Sequence, residues 1–303
     1  MTTSWKLSAP APKKVVQTAL LAHDEIEDWD PELVIAGREM SEDRPQDWVL
    51  EAWYPHEPGS DQTGALASLF DSKVPKITVE KLADEDWVAL SQQGTEPIRA
   101  GPFHVHTPDH EPDPDAVNFV IPAALAFGTG QHETTAGCLE MLATLKRNGA
   151  SVRDIADIGT GTGLLAFAAL ALWPHARATA SDIDPVCAPV VEENAKLNEV
   201  RLGPQPGAMT MVIADGMADP LLEVRGPYDL LIANILAGPL IELAPDFSEA
   251  VSAKGNLVLS GLLAGEQEAK VRRAYRMSGF RLKRRIQRGD WAILWFQRRS
   301  HGR

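Results

Sequence analysis

From Asp154 to Gln297 the sequence alternates short apolar runs with longer amphipathic ones, and that alternation leaves few folds open. Strands are expected at Asp154 to Ile158, Ala178 to Ile183, Thr210 to Ala214, Tyr228 to Ile235 and Asn256 to Leu262. Helices are expected between them at Gly163 to Trp173, Pro185 to Asn198, Pro239 to Ala253 and Gly265 to Met277. Strands joined through helices run parallel, so a doubly wound α/β sheet covered on both faces follows. The last two strands, Phe280 to Gln287 and Trp291 to Gln297, are separated only by a short turn and must be antiparallel neighbours.

The first eighty residues follow another order. Trp5 to Ala9, Glu32 to Met40, Trp48 to Tyr54 and Lys76 to Leu82 read as strands, with helices at Pro12 to His23 and Asp61 to Phe70. The order βαββαβ suits a small α+β ferredoxin-like domain over residues 1 to 82. A polar join follows at 83 to 95, and the catalytic unit is expected over 96 to 303. There, PIRAGPFHVHTP reads as a short hairpin leading into a proline-rich loop. His104, His106 and His110 raise a metal site, but the spacing fixes no fourth ligand, so no metal is expected and ordinary surface histidines are the default.

Ligands of doubly wound sheets bind beyond the carboxyl ends of the strands. The first strand of the alternation ends in DIGTGTG, where Gly159, Gly161 and Gly163 permit a tight turn and close backbone approach. A dinucleotide fingerprint would need glycine at position 164, which is Leu164. Asp182 closes the next strand in SDIDP, well placed to accept both hydroxyls of a ribose, while Asp184 reads as a cap for the helix at Pro185. A nucleoside needing no pyrophosphate is the expected ligand. A second glycine-rich stretch, FGTGQHETT, lacks the lysine of a phosphate loop and has too few ligands for a metal, and Thr134 or Thr135 can cap the helix that follows it.

D-x-G-x-G-x-G, with Asp157 two residues before Gly159, followed by an acid ending the second strand, resembles the adenosylmethionine-dependent methyltransferases of the Rossmann-like class, with a seven-stranded sheet. The ordered set FGTGQHETT, IGTGTGLLAFAA, DIDP, ANILAGPLIELAP and LVLSGLLAGEQ is similar to the ribosomal protein L-eleven methyltransferase family. That resemblance implies S-adenosyl-L-methionine as cofactor, with Thr135, Gly159, Asp182 and Asn234 among its contacts. It implies amines of ribosomal protein L-eleven, on lysines or an N-terminus, as acceptors, and a ferredoxin-like substrate-recognition domain on a linker, here hinged between Lys81 and Trp87. Asn234 is expected to orient the target nitrogen, although the Asn-Pro-Pro-aromatic turn of many amine methyltransferases is replaced by Asn-Ile-Leu-Ala. Family members often carry cysteine where Thr160 stands and proline where Glu133 stands; the second departure puts a carboxylate near a sulfonium site.

Charge and composition narrow the partners. The 29 basic and 42 acidic residues give a net charge of -13, which argues against wholesale nucleic-acid coating, and no stable nucleic-acid binding is expected. Residues 270 to 303 nevertheless hold 12 Lys or Arg and one acid, Asp290, read as a solvated basic hairpin. The longest apolar run, Leu164 to Trp173, falls well short of a membrane span of about 20 residues, no signal pattern opens the chain, and Cys138 and Cys187 have no metal-type spacing, so a cytoplasmic protein is expected. The rival readings are a lysine methyltransferase of another protein, such as the electron-transfer flavoprotein β-subunit, an RNA methyltransferase, a nicotinamide oxidoreductase disfavoured by Leu164, and a non-enzymatic nucleoside sensor.

Overall fold

The computed structural model describes residues 5–24, 26, 34–40, 44, 46–54, 56–70, 74–81, 97–122 and 131–300. The chain divides into two compact units, Met1–Leu90 and Ser91–Arg303. The expected join and nearly all of the expected hinge lie outside the described residues, as do Ala126 to Gly130 of the AFGTGQHETT stretch.

In the first unit β1 (Trp5–Pro12), α1 (Lys13–Asp24), β2 (Val34–Glu39), β3 (Asp47–Tyr54), α2 (Ser60–Ser68) and β4 (Thr78–Lys81) follow the expected order. The strands form one antiparallel sheet in the order β2-β3-β1-β4, the ferredoxin-like arrangement. Alternation sends Leu7, Ala9, Leu50 and Ala52 into one apolar cluster with Val16, Leu66 and Phe70. Glu51, between Leu50 and Ala52 in β3, is also buried, so its charge must be matched. Arg38 on β2 donates to both of its oxygens, at 2.7 and 3.0 Å, and Lys6 on β1 approaches at 3.5 Å.

The second unit opens with β5 (Ile98–Ala100), β6 (Phe103–His106) and β7 (Val117–Val120), a separate three-stranded sheet in which β5 and β6 form the expected hairpin. β7 was not expected: four residues are too few to carry a periodicity. Then come α3 (Gln131–Arg147), β8 (Asp154–Ile158), α4 (Leu164–Leu172), β9 (Arg177–Asp182), α5 (Cys187–Leu197), β10 (Arg201–Leu202), β11 (Ala208–Ile213), α6 (Pro220–Arg225), β12 (Tyr228–Asn234), α7 (Ala237–Glu242), α8 (Ala244–Ala250), β13 (Val251–Leu263), α9 (Glu266–Met277), β14 (Phe280–Arg288) and β15 (Trp291–Arg298). The large sheet has the order β10-β11-β9-β8-β12-β13-β15-β14. β15 is antiparallel to both of its neighbours, and the other pairs are parallel. The seven expected strands are thus joined by an eighth, the two-residue β10. Alternate residues of β12 go to opposite faces, Leu230 and Ile232 to one core, Leu231 and Ala233 to the other, as a sheet covered on both sides requires.

One expected helix is corrected. The single helix from Pro239 to Ala253 is two short ones, broken at Leu243 because Pro245 in the first turn of α8 has no amide to continue the ladder. Its expected end is strand instead, since Val251 already pairs with Tyr228. The surface reading of the histidines is corrected too. His104 and His106 are buried, because β6 is covered on both sides, and their rings stack with centroids 4.9 Å apart. His104 Nδ1 lies 2.9 Å from Asn118 Oδ1, and His106 Nδ1 lies 2.7 Å from the Thr107 carbonyl.

α3 lies close against β15: a Cβ added at Gly137 would stand 2.4 Å from Ile293 Cδ1, so helix and strand meet there without a side chain between them. Ile293 is fully buried. Ile293→Val, which removes that Cδ1, is expected to lower unfolding free energy by about 1 kcal/mol, read from the urea midpoint at unchanged slope.

Candidate functional site

The strand order reverses at β8: the chain runs outward through β9 and β11, then returns to the other side of β8 with β12. This is the switch point at which a crevice forms beyond the carboxyl ends of the strands. A cavity of about 370 Å³ opens there, and Thr135, Gly159, Gly161, Asp182 and Asn234 all line it. Four different elements therefore bring five of the six expected site residues to one cavity.

The sixth, Gly163, works from behind. It adopts φ +84° at the start of α4, and a Cβ there would stand 2.7 Å from the Phe167 ring. Gly159, at φ +69°, faces Ile235, whose Cγ2 lies 2.2 Å from where a Cβ would be. Side chains at either position would break the turn, so the glycines are structural requirements of the cavity floor.

Carboxylates hold this turn from both sides. Asp182 Oδ2 accepts from the Gly161 amide at 2.8 Å, and its Oδ1 accepts from the Asp184 amide at 3.1 Å. Each oxygen keeps a second acceptor position for a hydroxyl donor. Asp184 Oδ1 accepts from the Val186 amide at 2.9 Å, the capping expected of it. Beneath the turn, buried Asp157 accepts from Thr160 Oγ1 at 2.7 Å and from the Ala166 amide in the first turn of α4 at 3.1 Å. Burial pushes its carboxyl up to about 6, against those two hydrogen bonds, which favour the ionised form. A raised folded-state value means that the stability this group contributes is full below the ordinary carboxylate range and lost as pH rises through about 6. Accordingly, the stability gap between the wild type and Asp157→Asn should change between pH 4 and pH 7, moving against the wild type as pH rises; a constant gap in urea midpoints would contradict the raised value.

On the opposite wall Asn234 ends β12. Its Nδ2 donates to Thr134 Oγ1 over a long 3.5 Å, while its Oδ1 is buried without a hydrogen-bond partner. A buried amide oxygen left unpaired is costly and marks a place where a donor is due. The apolar part of the wall comes from Leu164, Val186 and Val190, with Cys187 beside them. Burial, then Asp182, pushes the Cys187 thiol up to about 12, so it stays protonated at neutral pH.

Several of these partners were not singled out from the sequence. Val186 and Val190 lie at helical spacing just after SDIDP and were legible as an apolar stripe. Thr134 and Thr135 were expected as caps of the helix but lie inside it, since α3 begins at Gln131, and the contact of Thr134 with Asn234 was not legible because 100 residues separate them. Glu133 now has an account. It sits half-exposed in the first turn of α3, where an acid suits the helix dipole, and its Oε2 lies 3.7 Å from Arg288 Nη1. Arg288 also pairs with Glu140 at 3.3 Å, so the end of β14 grips the helix that carries Thr134 and Thr135.

The family model for ribosomal protein L11 methyltransferase matches residues 17–299. The chain belongs to the ribosomal protein L11 methyltransferase family. Among its relatives in that family, the ribosomal protein L11 methyltransferase of Rhizobium meliloti (strain 1021) is 37% identical over 270 residues, 88% of this chain and 89% of that one. The Sinorhizobium fredii protein of the same name is 43% identical over 235 residues, 76% of each chain. A crystal structure of the ribosomal protein L11 methylase from Lactobacillus delbrueckii subsp. bulgaricus superposes with a TM-score of 0.57 at 27% identity, covering 68% of this chain and all of that one. Membership in this methyltransferase family sets aside the oxidoreductase and sensor readings. Among the described residues, no helix is long and apolar enough to cross a membrane, and no three His, Cys, Asp or Glu side chains group as a metal site.

Proposed function

We propose that this chain transfers methyl groups from S-adenosyl-L-methionine to amino groups of ribosomal protein L11, with Asn234 aiming the acceptor nitrogen. The observation that carries the reading is the wall-to-wall arrangement of the cavity: a glycine turn braced by Asp182 on one side, and an unpaired carbonyl on Asn234 on the other. The residues fit the cofactor. Asp182 retains acceptor positions for a ribose diol, the glycine turn admits close approach, and Thr135, at the start of the second turn of α3, lines the cavity with a hydroxyl that can donate to a carboxylate.

When bound, S-adenosyl-L-methionine supplies an electrophilic methyl on a sulfonium. The residues of the chain do the rest by positioning, because the displacement moves charge without creating it. The acceptor amine must arrive neutral, and a free lysine with a pKa of about 10.4 is mostly protonated at neutral pH. Entry into a water-poor cavity lowers that value, and the Asn234 carbonyl offers an uncharged acceptor that directs an N–H without fixing a proton on the nitrogen. Ribosomal protein L11 as acceptor follows from the names of the relatives. The alternative, a lysine methyltransferase of the electron-transfer flavoprotein β-subunit, has no support among those described above.

The test is incubation of the purified protein with labelled S-adenosyl-L-methionine and, separately, ribosomal protein L11, bulk ribosomes and total RNA. Methyl increments on L11 amines, located by mass mapping, are expected. Label confined to RNA or to another ribosomal protein would overturn the substrate.

A further inference from the structure

A second concavity lies away from the methyl-donor cavity. It is an open basin of about 710 Å³, at the opposite end of the large sheet, where β8 and β13 begin and β15 ends. Lys254, Lys283 and Arg284 line it together with Asn148, Gln297 and the indole of Trp295. No acidic residue lines it. Among the described residues none of the three cations has an ion-pair partner, in contrast to Lys270, Arg272, Arg285 and Arg288 of the same basic segment, which pair with Glu266, Glu268, Glu268 and Glu133.

Two backbone irregularities aim these charges. The β14 to β15 register shifts between Leu282 and Arg284, a bulge at Lys283, so that two consecutive residues reach one basin where a regular strand would send them to opposite faces. Lys254 adopts φ +65°, a left-handed conformation that a lysine rarely takes, with its carbonyl held by Gln297 Nε2 at 3.1 Å. β14 is an edge strand, and edge strands carry charge to resist pairing with other chains. That function explains Arg281 and Lys283. It does not explain Lys254, which comes from β13, two strands inward.

The surroundings suit an anion. The carbonyl end of α3 at the rim is closed on itself: Gly149 donates to the Lys146 carbonyl and Ala150 to the Leu145 carbonyl, at 3.0 and 3.1 Å. Asp229, whose backbone carbonyl meets Asn256, turns its carboxylate to the Arg153 and Asp154 amides. Trp295 also lines the basin but is largely buried, its Nε1 donating to Asn256 Oδ1 at 3.0 Å. Two ammonium groups and a guanidinium around a basin that no acid lines match phosphate oxygens.

We propose that this basin is a second ligand site that takes a phosphate-bearing anion of about nucleotide size, either a free nucleotide or one nucleotide of an RNA strand. The expectation of no stable nucleic-acid binding rests on a net charge of -13, from which this local cluster departs.

The test uses the full chain with its donor cavity filled by S-adenosylhomocysteine, titrated at low salt with UTP, with a short oligouridine RNA and with sulfate. Saturable binding of UTP or RNA is expected, weakened about tenfold by Lys254→Ala, Lys283→Ala or Arg284→Ala, as loss of one charge-assisted contact implies. Arg281→Ala, on the same strand but outside the basin, should stay within about twofold. Binding of UTP identifies a free nucleotide as sufficient; binding of RNA alone identifies a strand. The proposal fails if neither binds at millimolar concentration, if sulfate competes as well as UTP, or if Arg281→Ala weakens binding as much as the basin variants. It also fails if the basin variants bind normally but lose methyl transfer to ribosomal protein L11, since the basin would then serve the protein substrate.

Discussion

Asp182→Ala is expected to weaken S-adenosyl-L-methionine binding by at least about a hundredfold, because hydrogen bonds to a charged group contribute roughly 1.5–3 kcal/mol each and more than one is lost. The carboxylate has two duties. It braces the glycine turn through the Gly161 amide at 2.8 Å and the following turn through the Asp184 amide at 3.1 Å, and its remaining lone pairs face the cavity. Asp182→Asn separates the duties: the amide keeps one acceptor oxygen and loses the charge, so an intermediate loss is expected. Calorimetric titration of each variant gives the answer, with the urea midpoint as a check on folding. Unchanged affinity in Asp182→Ala would remove Asp182 from the cofactor contacts.

Asn234→Ala should behave oppositely, lowering kcat by about a hundredfold to a thousandfold, the range seen when one preorganised polar group is removed from a reacting centre. Cofactor affinity should stay within about threefold. The Asn234 Oδ1 is a buried acceptor with no partner, which costs stability when the cavity is empty of donors, and that cost is relieved by an incoming amine N–H. Single-turnover transfer to ribosomal protein L11, with cofactor binding measured separately, distinguishes the two effects. If kcat is retained, Asn234 has no role in aiming the nitrogen; if affinity collapses as well, it belongs to the cofactor wall alone.

How much was legible in the sequence follows from the range of each interaction. The β/α alternation, the glycine turn and Asp182 are local signals, set by period, by the steric demands of a tight turn and by the acid closing β9, and each could be read within about 30 residues. The inverted β15 was half legible: the short Gly289-Asp290 turn required a hairpin, but only the resemblance said that it inserts beside β13. Contacts made across the sheet were not legible. Asn234 meets Thr134 across 100 residues, and Glu133 meets Arg288 across the whole catalytic unit. The burial of His104 and His106 was misread because β6 is covered by elements distant in sequence, and short strands such as β7 and β10 have too few residues for any periodicity.

The interior place of β15 bears on how the chain is made. Among the described strands it is last in chain order, yet it separates β13 from β14 and pairs with both. During synthesis β13 therefore waits with one open edge and β14 with no hydrogen-bonded neighbour in the sheet, each an invitation to pair with another chain. The charges along β14, Arg281, Lys283, Arg284 and Arg285, guard that nascent edge. The strand that joins β13 to β14 is thus made after both of them.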